Sequence, residues 1–306
     1  MKLVLLSLLF GLIVSVSPVA SQTALQESTP SARDSGLVRL QFLVLDGHNH
    51  PATIAPAGIA IIDRNRLAKS ITSLQIGSGV PLRLGLLIDT SRSTANSDLF
   101  DDAVDKSIQF VRMALMNPQD KAFVLKFSQS PQATGFMDRE QFLRFKMKVK
   151  PEDGTALYDS IVLACTERMI NISASEPAHL VLVVLSDGED NASHFSLDRT
   201  TAAAQQAGVT IFTISTKQSG TTPRGERALR ELAEGTGGES FIPSRGELAE
   251  IFRKIQQEVE NTYIAIYKPA ADKTDNSFHS VEVRIYDKKL HARAPKGYFS
   301  RITPRP

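Results

Sequence analysis

The chain of 306 residues holds a single cysteine, Cys165, so no disulfide can form within it. An excess of charge of one sign is missing too. The 35 basic residues stand against 33 acidic ones, a formal net charge of +2, which argues against the concentrated basic field of a general nucleic-acid binder. No apolar run beyond the first 21 residues is long enough to span a bilayer. Nor is there a G-x-S-x-G nucleophile elbow or a phosphate-cradling G-x-x-x-x-G-K-[ST] loop. What is present is apolar mass. Hydrophobic residues make up 42% of a chain longer than one average domain, enough for a full core and a smaller companion module without covalent staples.

Residues 1–21 read as a cleaved signal peptide. Lys2 gives a positive start, Leu3 to Val16 is apolar apart from Ser7 and Ser15, and Val19-Ala20-Ser21 supplies the small residues of a cleavage site. The rival is an uncleaved anchor, for which this apolar core falls short of the roughly 20 residues a spanning helix prefers. The expected location is periplasmic or secreted, with no membrane span after cleavage. Residues 22–37, rich in Ser, Thr, Pro and Gln, read as a flexible leader.

Residues 38–80 form a β-rich segment: Val38 to Leu45 alternates like a strand and stops at Asp46-Gly47, and 58–62 and 70–76 follow. Across 81–260 the pattern changes. Strands over 82–88, 121–127, 179–185, 209–214 and 240–242 alternate with helices over 98–115, 156–170, 197–207, 225–234 and 247–260. The almost unbroken run His179 to Leu185 is what a strand buried on both faces requires. This predicts an α/β domain, a doubly wound, mostly parallel sheet with helices on both faces. Strands return over 263–267, 279–286 and 290–293, within a C-terminal segment of residues 261–306. Each flank is too short for a stable sheet of its own, so the two are expected to pair into one small β-sandwich.

Doubly wound sheets bind ligands at the carboxyl ends of their strands, and the chemistry-bearing residues gather there. Asp89-Thr90-Ser91-Arg92-Ser93 breaks the first central strand, placing a carboxylate and two hydroxyls at alternate positions. Thr155 lies in Asp153-Gly154-Thr155 just before a helix, and Asp187 follows the most buried strand. Asp89, Ser91, Ser93, Thr155 and Asp187 therefore offer only oxygen donors at one sheet edge. Hard donors suit Mg2+, Mn2+ or Ca2+ rather than zinc or copper, and Mg2+ is the first choice because it accepts few protein ligands and keeps its waters.

In this order, Asp89-Thr90-Ser91-Arg92-Ser93, Thr155 and Asp187 resemble the metal-ion-dependent adhesion site (MIDAS) of von Willebrand factor type A (VWFA) domains, over roughly residues 82–260. The flanks are similar to those of VWFA-related proteins of acidobacteria, with Gly237-Gly238-Glu239-Ser240-Phe241 and Gly297-Tyr298 among the shared signatures. The resemblance implies that Ser91, Ser93 and sometimes Thr155 touch the metal, with Asp89 and Asp187 acting directly or through water. It also implies an open metal position filled by a carboxylate from a protein partner, and a last helix, 247–260, that shifts on binding. Asp153 departs from the pattern, standing where many relatives carry a second glycine. It reads either as a turn aspartate or as a competitor for the open position.

The expected function is metal-dependent protein binding of the adhesion type, without catalysis. One alternative is a magnesium-dependent hydrolase or phosphatase using Asp89; against it, Ser91 stands where aspartyl-phosphate enzymes carry a second acid. The other is a scaffold whose metal only holds loops. Several residues read blandly: Cys165 as a buried hydrophobe, His48 and His50 as turn filler, His194 without a role, Glu189 and Asp190 as solvated loop charges. Arg92 reads equally as a surface residue or an aid to an acidic partner. Asn171-Ile172-Ser173 and Asn191-Ala192-Ser193 fit the glycosylation pattern, which matters only in a eukaryotic host.

Overall fold

The computed structural model describes residues 36–299 except 98, 173–176, 217–222, 245 and 271–276. The signal-peptide reading of residues 1–21 and most of the leader lie outside the described residues, as does Ser173 of the first glycosylation pattern. Among the described residues no helix is long and apolar enough to cross a membrane.

The N-terminal segment folds into β1 (Val38–Leu45), β2 (Ile59–Asp63), β3 (Arg66–Leu67) and β4 (Ser70–Ile76). The central domain follows as β5 (Leu82–Asp89), α1 (Arg92–Ala95), α2 (Phe100–Ala114), β6 (Lys121–Phe127), β7 (Pro131–Ala133), α3 (Arg139–Arg144) and α4 (Leu157–Leu163). It continues with β8 (His179–Ser186), α5 (Leu197–Ala207), β9 (Thr210–Ser215), α6 (Pro223–Gly235), β10 (Ser240–Phe241) and α7 (Leu248–Asn261). The C-terminal segment adds β11 (Tyr263–Lys268), β12 (Phe278–Ile285), β13 (His291–Arg293) and β14 (Gly297–Phe299).

The central sheet runs β10-β9-β8-β5-β6-β7, parallel except for the edge hairpin β6–β7. Alternate strand residues face opposite sides, and each side is covered by helices. Leu84, Leu86, Ile88, Val181 and Val183 meet α2 and α7 through Phe110 and Phe252, whose rings stack 5.5 Å apart. Leu87, Leu182 and Val184 meet α4, α5 and α6. Every residue of β8 is buried, as its apolar run requires. Gly208, at φ 66°, ends α5 in the left-handed conformation that glycine adopts without strain.

The flanks pair as the pattern predicts. One four-stranded antiparallel sheet runs β13-β1-β11-β4 and the other β14-β12-β2-β3, so each mixes N- and C-terminal strands. Phe42, Ile61, Tyr267 and Val281 of the two sheets share one core, which makes the module a sandwich. It is stitched to the central domain by Gln41, whose amide donates to Leu180 O and Gly208 O at 2.9 Å and accepts from Leu180 N at 2.7 Å. Arg293 does the same from the C-terminal side, reaching Glu239 at 2.8 Å and Glu258 of α7.

The sequence misses β3, α1, β7, α3 and β14, pieces of two to six residues too short to show a period. It also reads 156–170 as one helix. The structure turns from α to π winding at Ala164–Met169, which places Cys165 wholly inside, where burial pushes its thiol up to about 12. The buried-hydrophobe reading of Cys165 thus matches its surroundings.

Candidate metal centre

β5 is the first strand of the central sheet and lies in its interior, with β6 on one side and β8 on the other. The strand order reverses there, so the crevice at the carboxyl ends of β5 and β8 is the topological switch point. Asp89 ends β5, and Asp187 follows Ser186 at the end of β8. Both carboxylates are fully buried.

Asp89 is held from three directions. Its Oδ1 accepts from Ser91 N at 2.8 Å, and its Oδ2 accepts from Thr94 Oγ1 at 3.0 Å and Ser186 Oγ at 2.7 Å. Burial pushes its carboxyl up to about 6 and the neighbouring Asp187 charge adds to the rise, while the hydrogen bonds from Ser91 and Ser186 pull the other way. Ser93 Oγ lies 3.4 Å from Asp187 Oδ2 and 3.3 Å from Ser91 Oγ. Asp89, Ser91, Ser93 and Asp187 thus form one connected set. Ser91 is buried whereas Ser93 faces solvent, so the set opens outward.

Thr155 reaches the same edge by a different route. Its backbone N donates to Asn191 Oδ1 at 2.9 Å, and its carbonyl accepts from Asn191 N and Ala192 N at 3.1 Å. The loop after β8 therefore carries Asp187 and also pins Thr155. Gly188 shapes that loop: its φ is 77°, and a Cβ there would stand 2.3 Å from Gly225 O, so only glycine fits.

Helix capping does not account for these side chains. Ser91 precedes α1, but its hydroxyl makes no cap bond. Ser196, not Asp187, caps α5 by accepting from Arg199 N. Among the described residues no group of three His, Cys, Asp or Glu is placed to hold a metal. The strand-end set is of another composition, two carboxylates with the Ser91 and Ser93 hydroxyls and Thr155 on the adjoining loop, and oxygen donors of that kind suit a hard divalent cation.

Thr94 and Ser186, which fix Asp89, were absent from the sequence reading, although Ser186 adjoins Asp187 and Thr94 follows the Asp89–Ser93 motif directly. Asp190 departs from the solvated reading. Its Oδ2 accepts from Tyr158 N at 3.0 Å and Ser193 Oγ at 2.6 Å, tying the β8 loop to α4. Asp153 does not turn inward; its carboxylate receives Arg92 Nε at 2.9 Å in a pair exposed on both sides. His194 donates its backbone N to Asp159 and sets its ring 2.8 Å from the same carboxylate, so it anchors a loop. His48 and His50 sit in a turn organised by Asp46, whose Oδ1 accepts from both backbone N–H groups.

The sheet order and helix layers are those of a doubly wound α/β domain. Solved structures similar to this chain include proximal thread matrix protein 1 of the mussel byssus, at 14% identity and TM-score 0.48 over 63% of this chain. This alignment spans about half, 49%, of the thread protein's length. A von Willebrand factor type A protein from Catenulispora acidiphila aligns at 12% identity and TM-score 0.47, covering 87% of this chain and 74% of that one. An aerotolerance-related membrane protein from Bacteroides fragilis aligns at 16% identity and TM-score 0.41, covering 58% and 98%. No protein-family model and no curated protein sequence matches the chain.

Proposed function

We propose that this is an exported, non-catalytic binding protein that takes a carboxylate of a protein partner at a divalent cation held at the switch point. The observation that carries the reading is the pairing of two buried carboxylates, Asp89 and Asp187, beneath a solvent-facing hydroxyl, Ser93. Two like charges so placed are costly without a compensating cation. Ser91, Ser93 and Thr155 would offer it hydroxyls, with Asp89 and Asp187 as the acidic ligands. Neutral hydroxyls leave much of a cation's charge unneutralised, and that residual charge is what it supplies to an acidic partner.

An aspartyl nucleophile is the less favoured reading, because Ser91 stands where such enzymes carry a second acid. A bound cation at about 100 times its dissociation constant adds about 2.7 kcal/mol. At about 2–4 °C per kcal/mol, magnesium should raise the unfolding temperature of the full chain by roughly 5–10 °C over EDTA. Asp89→Asn should remove most of that gain. No shift with magnesium, manganese or calcium would overturn the metal site.

A further inference from the structure

The span from Arg139 to Lys150 carries five basic residues against one acid, Glu140. That acid is taken by Arg144 at 3.1 Å within α3. Beyond α3 the chain alternates. Phe145, Met147 and Val149 pack against the core that α2 and α7 share with the central sheet, whereas Lys146, Lys148 and Lys150 are exposed. Burial with a period of two is that of an extended chain, which sets successive lysines about 7 Å apart on one face.

Two kinds of partner are missing from this row. Among the described residues none of the three lysines forms an ion pair, and the acids that follow them are engaged elsewhere, Glu152 with Ser128 Oγ at 3.0 Å and Asp153 with Arg92. What approaches instead is a fourth cation, Lys126 of β6, whose Nζ donates to Lys148 O at 3.1 Å. Nor do the backbone N–H and C=O groups from Lys146 to Lys150 meet another backbone among the described residues. Glu152, just beyond them, pairs in both directions, its N with Thr90 O and its O with Arg92 N. Cations gathered without an anion raise the local potential and attract one. An extended backbone with open hydrogen-bonding groups accepts another strand beside it.

We propose that residues 145–150 form a docking strand for an extended acidic segment of a protein partner, with acids at alternate positions facing Lys146, Lys148 and Lys150. The lysines select an anion and the open backbone selects a polypeptide. A nucleic-acid strand or a lipid surface offers the charge without the peptide groups. The alternation sets the register as well, since only every second side chain of the partner shares the face of the lysines. No metal enters this binding, so it stands apart from the cation reading.

The test titrates the full chain, in EDTA and at low salt where exposed charges act most strongly, into the labelled peptide Gly-Thr-Glu-Thr-Glu-Thr-Glu-Thr-Gly. Fluorescence anisotropy compares it with the isomer Gly-Thr-Thr-Glu-Glu-Glu-Thr-Thr-Gly and with the alternating peptide carrying Gln for every Glu. Exposed ion pairs are individually weak, so the alternating peptide should bind about threefold more tightly than its isomer and at least about tenfold more tightly than the Gln peptide. The triple variant Lys146→Gln/Lys148→Gln/Lys150→Gln should erase both preferences and leave the unfolding temperature unchanged, since all three side chains are exposed. Equal affinity for the two isomers, no binding up to millimolar chain, or a preference that survives the triple variant would each overturn the proposal. So would tighter lysine-dependent binding of a thymidine oligonucleotide or of phosphatidylserine vesicles, which would make the row a general polyanion surface.

Discussion

Two buried aspartates, Asp63 in the sandwich and Asp89 in the central sheet, are both closed off from water and both accept hydroxyl hydrogen bonds. Their surroundings differ in kind. Asp63 Oδ2 accepts from Tyr267 and Tyr298 at 2.7 and 2.9 Å, and His279 Nδ1 lies 3.8 Å from its other oxygen. The phenols come from β11 and β14, whereas Asp63 ends β2, so the carboxylate joins C-terminal strands to an N-terminal one. Burial, reinforced by Asp63, holds both phenols well above their ordinary range, so they stay protonated and donate. Asp89 has hydroxyl donors as well, but its neighbour is another carboxylate. Both acids are well supplied with donors, so the difference lies in the second carboxylate, Asp187, beside Asp89 and in the phenols and imidazole around Asp63.

The largest expected effect would break that contrast if it failed. Asp63→Ala deprives the buried Tyr267 phenol and the half-buried Tyr298 phenol of their acceptor, at about 2 and about 1 kcal/mol, so the full chain should lose about 3 kcal/mol in denaturant unfolding. Asp89→Asn keeps one acceptor, for Ser91 N, lets the Thr94 and Ser186 hydroxyls turn to accept from its amide, and removes a buried charge, so in EDTA it should cost under about 1 kcal/mol. Equal losses from the two substitutions would mean that Asp89 is structural in the same sense as Asp63.

A somewhat smaller effect is a pH dependence belonging to the central site. Asp89 is raised from 3.8 to about 6, so between those values the folded chain keeps a proton that the unfolded chain has released. Stability therefore falls as pH rises through that window, by at most about 3 kcal/mol in all. Asp89→Asn removes this contribution, so in EDTA its stability relative to wild type should climb between pH 4 and pH 7. A difference flat across that range would show that the Asp89 charge is already compensated within the chain.

Much of this was legible in the sequence because periodicity reports burial. The apolar run Leu180 to Leu185 of β8 and the amphipathic α2 and α7 announce a sheet with two covered faces, and the break of β5 at Asp89 announces the edge where loops gather. The pairing of the flanks followed from their brevity alone. The hydrogen-bond partners of the site were not legible. Asn191 reads only as part of a glycosylation pattern and Asp190 as a solvated loop charge, yet they fix Thr155 and Tyr158 across 36 and 32 residues of chain. The Asp63 cluster was equally hidden, since its members lie 204 and 235 residues apart and only the interleaving of the two flanks brings them together.

The smallest effect concerns the rim of the centre, where the sequence left Asp153 two roles. In the structure its carboxylate turns to Arg92 and the pair is exposed, 63% and 82% on its two sides. An ion pair so open to solvent contributes under about 1 kcal/mol. Asp153→Gly and Arg92→Ala should each move denaturant stability by less than that, and neither should diminish the magnesium-induced rise in unfolding temperature. A larger rise in Asp153→Gly would mean that the aspartate competes for the cation after all. A smaller rise in Arg92→Ala would mean that the pair helps to hold the Asp89–Ser93 loop in shape, since Arg92 lies inside that loop and donates its backbone N to Glu152 O at 2.8 Å.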